Sequence, residues 1–221
     1  WDQTTGSDIE QMSEIFLQGY RKSTGWARDQ EVYFYTQLSR TPDSIFIEHR
    51  QGEPYGQASG RSAIAYLYYK VKAGDQLIIE TALSGTSTQG AMGNWTDEEK
   101  EFDFDKYRTQ AESLWQERLS RITIPENAPD SLKKTFYTAL YRAQVCPTLY
   151  SNTDGNYLGA DRRTHFREDN SATYSTFSLW DTYRAVHPLY NLIATKENRD
   201  MVQSLIDFGD QNMFHLPVWN M

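Results

Sequence analysis

Trp95-Thr-Asp-Glu-Glu-Lys-Glu-Phe-Asp-Phe-Asp-Lys-Tyr-Arg-Thr-Gln-Ala-Glu-Ser-Leu-Trp-Gln-Glu-Arg-Leu119 is where the chain changes texture. Tyr107, Ala111, Leu114, Trp115, Leu119 and Ile122 recur at helical spacing, so this stretch predicts an amphipathic helix. Asp97, Glu98, Glu99, Glu101, Asp103 and Asp105 run into it from the N-terminal side, where a helix dipole favours negative charge. That assigns the acidic run to a helix start in preference to a calcium site or an acidic interaction patch. Upstream, from Val32 to about Thr88, short strand-like runs (Glu31-Val-Tyr-Phe-Tyr, Ser44-Ile-Phe-Ile-Glu, Ala63-Ile-Ala-Tyr-Leu-Tyr-Tyr, Gln76-Leu-Ile-Ile-Glu) alternate with turns. The turns are Thr41-Pro-Asp, Gln51-Gly-Glu-Pro and Lys72-Ala-Gly-Asp, which pair a fixed or permissive φ with Asx chemistry. Downstream, a second helix is expected after an N-cap at Asp130, with Leu132, Phe136, Ala139, Leu140 and Ala143 on one stripe and Pro147 ending it. A third is expected from about Thr176 to His187 and a fourth from about Asn198 to Asp210. Strands first and helices afterwards describe an α+β chain of separate layers or domains.

The formal net charge of −8 gives no field that gathers phosphate backbones, which argues against a nucleic-acid partner. A single Cys146 excludes an intrachain disulfide, and its apolar neighbours Ala143 and Val145 predict a small buried hydrophobe. No apolar run reaches the ~20 residues of a spanning helix. Trp1-Asp-Gln carries no signal segment, and the chain reads as an internal piece of a longer one. Asn152-Thr-Asp-Gly-Asn156 superficially offers calcium three oxygen ligands, but its glycine and Arg163 sit at the wrong places for a calcium loop, so it reads as a turn. His49, His165, His187 and His215 lack zinc spacing, and no metal ligand is assigned. His187 before Pro188 reads as a helix end, and His165 as a residue free to face a sugar. The polar stretch from 150 to 175 is too long for slack chain and predicts a functional or hairpin-bearing loop.

The most informative run is Tyr174-Ser-Thr-Phe-Ser-Leu-Trp-Asp-Thr-Tyr-Arg-Ala-Val-His-Pro188. On a helix, Phe177, Trp180, Asp181 and Arg184 fall at i, i+3, i+4 and i+7, placing two aromatics, an acid and a base on one face. A Trp beside a carboxylate suits a pyranose, whose apolar face stacks on the ring while its hydroxyls donate to the acid. An Asp181–Arg184 ion pair under a core Trp accounts for the spacing equally well, and the spacing alone leaves both open.

This run resembles the signature of the glycoside hydrolase family 92 α-mannosidases around Phe177-Ser-Leu-Trp-Asp-Thr-Tyr-Arg184. Lys134-Thr-Phe-Tyr-Thr-Ala-Leu-Tyr-Arg142, Cys146-Pro-Thr-Leu-Tyr-Ser-Asn152, Asp154-Gly-Asn-Tyr-Leu-Gly159 and the stretch from Gly74-Asp75 through Ser84-Gly-Thr-Ser87 to Ala91 and Asn94 resemble the same family in order. Arg142 departs from the histidine common there. The resemblance implies the end of an N-terminal β-sandwich over 1–95, a helical linker over 96–124 and the beginning of an (α/α)6 catalytic barrel over 125–221. It implies part of a calcium-dependent, inverting exo-α-mannosidase that is periplasmic, cell-surface or secreted and acts on mannose-containing glycans. Phe177, Trp180, Asp181 and Arg184 are the expected substrate-binding residues. No catalytic residue is assigned, because the family's acid and base motifs lie downstream of the Leu216-Pro-x-Trp219 segment, so the remainder of the barrel is expected to complete the site. Two other readings stay open: a carbohydrate-binding or structural fragment without catalysis, and a different (α/α)6-barrel glycosidase.

Overall fold

The computed structural model describes residues 3–48, 57–98, 101–169, 171–217 and 219–220. His49, the expected turn from Gln51 to Pro54, Glu99 and the opening Trp1-Asp2 lie outside the described residues. Seven strands come first: β1 (Gln3–Gln11), β2 (Phe16–Thr24), β3 (Gln30–Leu38), β4 (Ser44–Ile47), β5 (Gln57–Gly60), β6 (Ala65–Tyr68) and β7 (Ile79–Ser84). Helices α1 (Thr88–Asp97), α2 (Phe104–Leu119) and α3 (Asp130–Ala143) follow. Short strands β8 (Thr148–Leu149), β9 (Asn156–Leu158), β10 (Thr164–Phe166), β11 (Tyr174–Ser175) and β12 (Phe177–Ser178) lead to α4 (Leu179–Thr182), α5 (Val186–Ile193), α6 (Thr195–Gln211) and β13 (Trp219–Asn220). An antiparallel β region followed by helices is thus the fold class read from the sequence.

The chain forms two units. The first comprises Trp1–Phe102 together with Ser151–Leu158 and Thr164–Phe166. Its main sheet is antiparallel and ordered β5-β1-β2-β3-β7, and β4 pairs with β6 as a separate ribbon. Leu17, Ile47 and Ala58 are buried together against Ile9, Phe34, Ile45, Ala63, Ala65 and Leu67, so apolar residues of the sheet and of the ribbon fill one core. Full burial of each large member stabilises by roughly 1.5–3 kcal/mol. The strands read so faintly in β1 and β2 because polar residues and glycines interrupt them. Gly19 shows why a glycine is needed there: a Cβ would lie 2.0 Å from the Asp8 carbonyl oxygen and 2.9 Å from the Phe34 ring. On the opposite face of the sheet, α1 sets Trp95 against Phe16 and Tyr35, with ring centroids 5.6 and 5.5 Å apart.

Helix α1 starts at Ser87, whose side chain accepts from the Gly90 N–H. Beside it lies a buried polar network. Asn152 Oδ1 accepts from Ser84 Oγ at 2.9 Å and from Asn94 Nδ2 at 3.1 Å, while Asn152 Nδ2 donates to Thr86 Oγ1 at 3.0 Å. Asn94 Nδ2 also donates to the Leu83 carbonyl, and Asn94 Oδ1 accepts from the Thr153 N–H and hydroxyl. The 152–156 segment is a turn, as read: the Asn156 N–H donates to Asp154 Oδ1 at 2.9 Å, and Gly155 has φ of 84°. The β9–β10 hairpin continues from it, with His165 stacked on Tyr157 at 5.6 Å.

The second unit comprises Asp103–Tyr150, Gly159–Arg163 and Arg167–Met221. Asp103 caps α2 by accepting from the Lys106 N–H and Asp105 lies in its first turn, so these two acids take the helix-start role, whereas Asp97 and Glu98 end α1. Helix α3 begins one residue earlier than expected, with Pro129 at the cap position and Asp130 inside the first turn. Trp115 and Tyr141 join α2 and α3 at 4.5 Å between rings, but Leu114 and Leu132, expected on buried stripes, are exposed. Phe177, Tyr190, Ala194 and Met201 form the core, packed by Tyr174, Leu179, Val186, Ile193 and Leu205. Arg118 and Arg121 from the α2 end pair with Glu197 in the first turn of α6. Tyr190 donates to the Ala143 and Cys146 carbonyls, satisfying the end of α3.

Three local expectations are corrected. Cys146 is exposed, because α3 stops at Ala143 and leaves it in the following loop. His187 opens α5 and does not end a helix; its Nδ1 lies 3.0 Å from Asn198 Oδ1. The continuous third helix is replaced by β12, a short α4 and α5: Thr176 takes φ of 62°, which no α-helix accommodates, so Phe177-Ser178 runs as a strand, and Ala185 at φ of −129° parts α4 from α5.

Gly90 and Gly93 share α1 but differ in what a methyl group meets. A Cβ at Gly90 falls 2.6 Å from Thr86 Oγ1 and 2.7 Å from Asn152 Nδ2 and Ser84 Oγ, while nothing lies within 4 Å of one at Gly93. Gly90→Ala is expected to lose about 1–3 kcal/mol of stability. Gly93→Ala should gain roughly 0.5–1 kcal/mol. Urea denaturation of both variants beside the parent checks the two signs.

Burial, with Cys146 as a lesser cause, pushes the Tyr190 hydroxyl up to about 12. The folded value lies above that of an unfolded tyrosine, ~10. The stabilisation is therefore complete below about pH 10 and is lost as pH rises through the folded value. Tyr190→Phe leaves two carbonyls without their donor and is expected to cost about 1–3 kcal/mol at neutral pH. It should also flatten the alkaline loss of stability above about pH 10, which denaturant unfolding across that range measures.

Candidate functional site

The segment that carries Trp180 and Asp181 is shaped by its backbone before its side chains. Tyr174-Ser175 pairs with Thr148-Leu149, and Phe177-Ser178 pairs with Trp219-Asn220, so two very short ladders flank the residue between them. That residue is Thr176, a β-branched side chain at positive φ, a conformation that costs on the order of 1–3 kcal/mol and persists only where its surroundings impose it. Thr176 Oγ1 accepts from the Thr148 N–H at 3.0 Å and bonds Thr148 Oγ1 at 2.9 Å. The chain turns there and enters α4 through Ser178.

Phe177 points inward and is 1% exposed, packed in the core with Tyr190 and Met201. It does not share a solvent face with the other three expected site residues. The strand geometry at 177–178, in place of a helical turn, separates them. Trp180 is 61% exposed, and Asp181 and Arg184 are exposed as well. Asp181 Oδ2 accepts from Ser178 Oγ at 2.5 Å. Arg184 turns to Tyr183, its guanidinium 5.8 Å from the ring centroid and Nη2 3.4 Å from the hydroxyl. Of the two readings left open by the spacing, the ion pair under a core Trp is not formed. Trp180, Asp181, Tyr183 and Arg184 present a ring, an acceptor, a second ring and a donor on the exposed surface of this turn.

Sequence reasoning missed Ser178, the partner of Asp181, and Tyr183, which is 58% exposed. It also missed Arg167, which is 7% exposed and carries its guanidinium into the unit. Arg167 Nε donates to Thr173 Oγ1 at 2.8 Å and Nη1 to Ser171 Oγ at 2.9 Å, and Nη2 pairs with Asp207. Beside it, the Ser171 hydroxyl and N–H hold the Asp169 carboxyl below the usual range, and burial raises the Tyr174 hydroxyl. A lone arginine in a polar loop offers no periodicity from which this role is legible.

The sequence model of the glycosyl hydrolase family 92 catalytic domain matches residues 90–221. The chain belongs to this family. A family GH92 α-mannosidase from Bacteroides thetaiotaomicron is 28% identical and superposes with a TM-score of 0.93, covering 100% of this chain and 31% of that one. The same mannosidase in complex with mannoimidazole gives 0.92. An inverting family GH92 mannosidase from the same bacterium gives 0.84 at 26% identity, covering 98% of this chain and 30% of that one. An uncharacterized secreted glycosidase of Arthroderma benhamiae is 29% identical over 156 residues, 63% of this chain and 19% of that protein. The family 92 chain thus spans about a third of the length of the solved structures it matches.

Calcium, implied by the resemblance, finds no donor set in the turn that superficially suggested one. Asn152 Oδ1 is taken by Ser84 and Asn94, and Asp154 holds the Asn156 N–H and amide. Among the described residues no group of three or more His, Cys, Asp or Glu is placed to hold a metal ion. The described residues therefore do not fit the ion, and no chemical step is assigned to it. No helix among them is long and apolar enough to cross a membrane.

Proposed function

We propose that this chain supplies part of the terminal-mannose subsite of an inverting exo-α-mannosidase. The observation that carries the reading is the exposed Trp180-Asp181 pair, with Asp181 held by Ser178 and left clear of Arg184. Trp180 would take the apolar face of the pyranose, and the free lone pairs of Asp181 would accept its hydroxyls. Arg184 and Tyr183 would add donors at the rim, with Phe177 supporting the turn from beneath. The solved relatives named as α-mannosidases, one holding mannoimidazole, support a mannose-type ligand.

Inversion needs one carboxylic acid to protonate the leaving oxygen and a second carboxylate to activate water, about 6.5–9.5 Å apart. Three other carboxylates of this unit are engaged elsewhere: Asp207 with Arg167, Glu197 with Arg118 and Arg121, and Asp200 with the Ala172 N–H. We therefore assign the described residues a binding role and expect the 221-residue chain alone to bind the sugar without turning it over. Calcium dependence and a periplasmic, cell-surface or secreted setting belong to the same proposal, the latter supported by the fungal relative described as secreted.

In the full natural protein, Asp181→Ala is expected to lower kcat/KM for an aryl α-mannoside by about 30- to 1,000-fold, the equivalent of about 2–4 kcal/mol, because the hydroxyl it pairs would be left unsatisfied. Unchanged kinetics in a folded variant would reject the mannose site. Release of the aryl group by the isolated chain with calcium present would show that acid and base are already among its residues.

A further inference from the structure

We infer that Arg167 is a positioning residue for the Trp180-Asp181 turn, acting through a polar stripe on α6; the inference rests on the sugar-binding reading of that turn. Asp200, Ser204, Asp207 and Gln211 fall at i, i+4, i+7 and i+11, so they lie along one side of the helix. Each of the four meets the strap that runs from 160 to 174. Gln211 Oε1 accepts from the Ala160 N–H at 3.1 Å, Asp207 pairs with Arg167, Asp200 Oδ2 accepts from the Ala172 N–H at 3.3 Å, and Ser204 Oγ accepts from the Tyr174 N–H at 3.0 Å. Gln203 Nε2 holds the other oxygen of Asp207 at 2.9 Å, and Ser204 Oγ donates to the Asp200 carbonyl.

Beyond the β10 ladder the strap leans on these side chains, because the ladders that flank Thr176 are only two residues long each. Arg167 sits at the centre. Its fork joins Ser171 and Thr173 in the strap to Asp207 in the helix, so a planar guanidinium fixes three points at once. Trp180 lies seven residues beyond Thr173, past a turn that is held in a strained conformation. A strap freed at Thr173 relaxes that turn and moves the ring and the carboxylate together, without touching either.

The test is a double-mutant cycle in the full natural protein, with para-nitrophenyl α-mannoside as the probe. Arg167→Lys keeps the charge beside Asp207 and loses the fork; Thr173→Val removes one acceptor at nearly constant volume and stands in if the lysine variant does not fold. Either is expected to raise KM about 10- to 100-fold with kcat changed less than about threefold, the scale of a displacement on the order of 1 Å at the site, in protein that thermal melting shows to be folded at the assay temperature. In an Asp181→Asn background the same substitution should cost less than about threefold further, because its route to the substrate is already cut. Losses that multiply independently overturn the inference, as does an unchanged KM in a folded Thr173→Val or Arg167→Lys protein. An Asp181→Asn enzyme with unchanged kinetics instead removes the sugar-binding reading, and the positioning role falls with it.

Discussion

Two buried asparagine amides carry the first unit. Asn152 is 6% exposed and Asn94 9%, and each of their side-chain oxygens accepts two hydrogen bonds. An amide removed from water without partners costs on the order of 1–3 kcal/mol in proteins, so such a pair is tolerated only when its partners are already in place. Those partners come from four separate stretches: the end of β7 (Ser84), the loop to α1 (Thr86), α1 itself (Asn94) and the segment after Tyr150 (Asn152, Thr153). The network therefore forms complete or not at all. It fixes how close α1 approaches the 152–156 turn, and that closeness is what makes Gly90 obligatory.

The legible parts of this fold were those with a local cause. Proline, glycine and Asx residues marked the turns between β3 and β4 and between β6 and β7, and the change to helical spacing after Trp95 marked α2, the second helix of the chain. Strands β1 and β2 were silent because QTTGSDIEQ and FLQGYRKST carry few apolar residues, and polar side chains such as Gln18 and Glu10 pair across them. Helix α1 was silent because Gly90, Ala91 and Asn94 make up its inner face, for reasons that lie in a segment some sixty residues later.

At the site, residue types were readable and their directions were not. Trp180 and Asp181 stood out because a ring beside a carboxylate is uncommon on a solvent face, and both are exposed. Placing Phe177 with them assumed one unbroken helix, an assumption that nothing in Tyr174 to Pro188 contradicts locally. The break at Thr176 is imposed from outside, by the Thr148 hydroxyl and N–H and by the ladder to Trp219-Asn220. Tertiary partners override propensity at that point, and β-branched residues give no warning of positive φ.

The same break explains how an exposed pair is held still without being buried. Phe177 is sealed in the core one residue after the strained position, and Ser178 begins α4 one residue after that. Burying a phenylalanine stabilises by roughly 1.5–3 kcal/mol, comparable to the on-the-order-of 1–3 kcal/mol that positive φ costs at Thr176. The two terms are coupled: relaxing Thr176 into an ordinary conformation would swing Phe177 out of its packing against Tyr190 and Met201. Trp180 follows three residues later on a four-residue helix too short to be stable by itself. Its orientation is therefore inherited from the buried ring behind it and the hydroxyl of Ser178 beside it, which is why an aromatic surface this open can still keep one geometry.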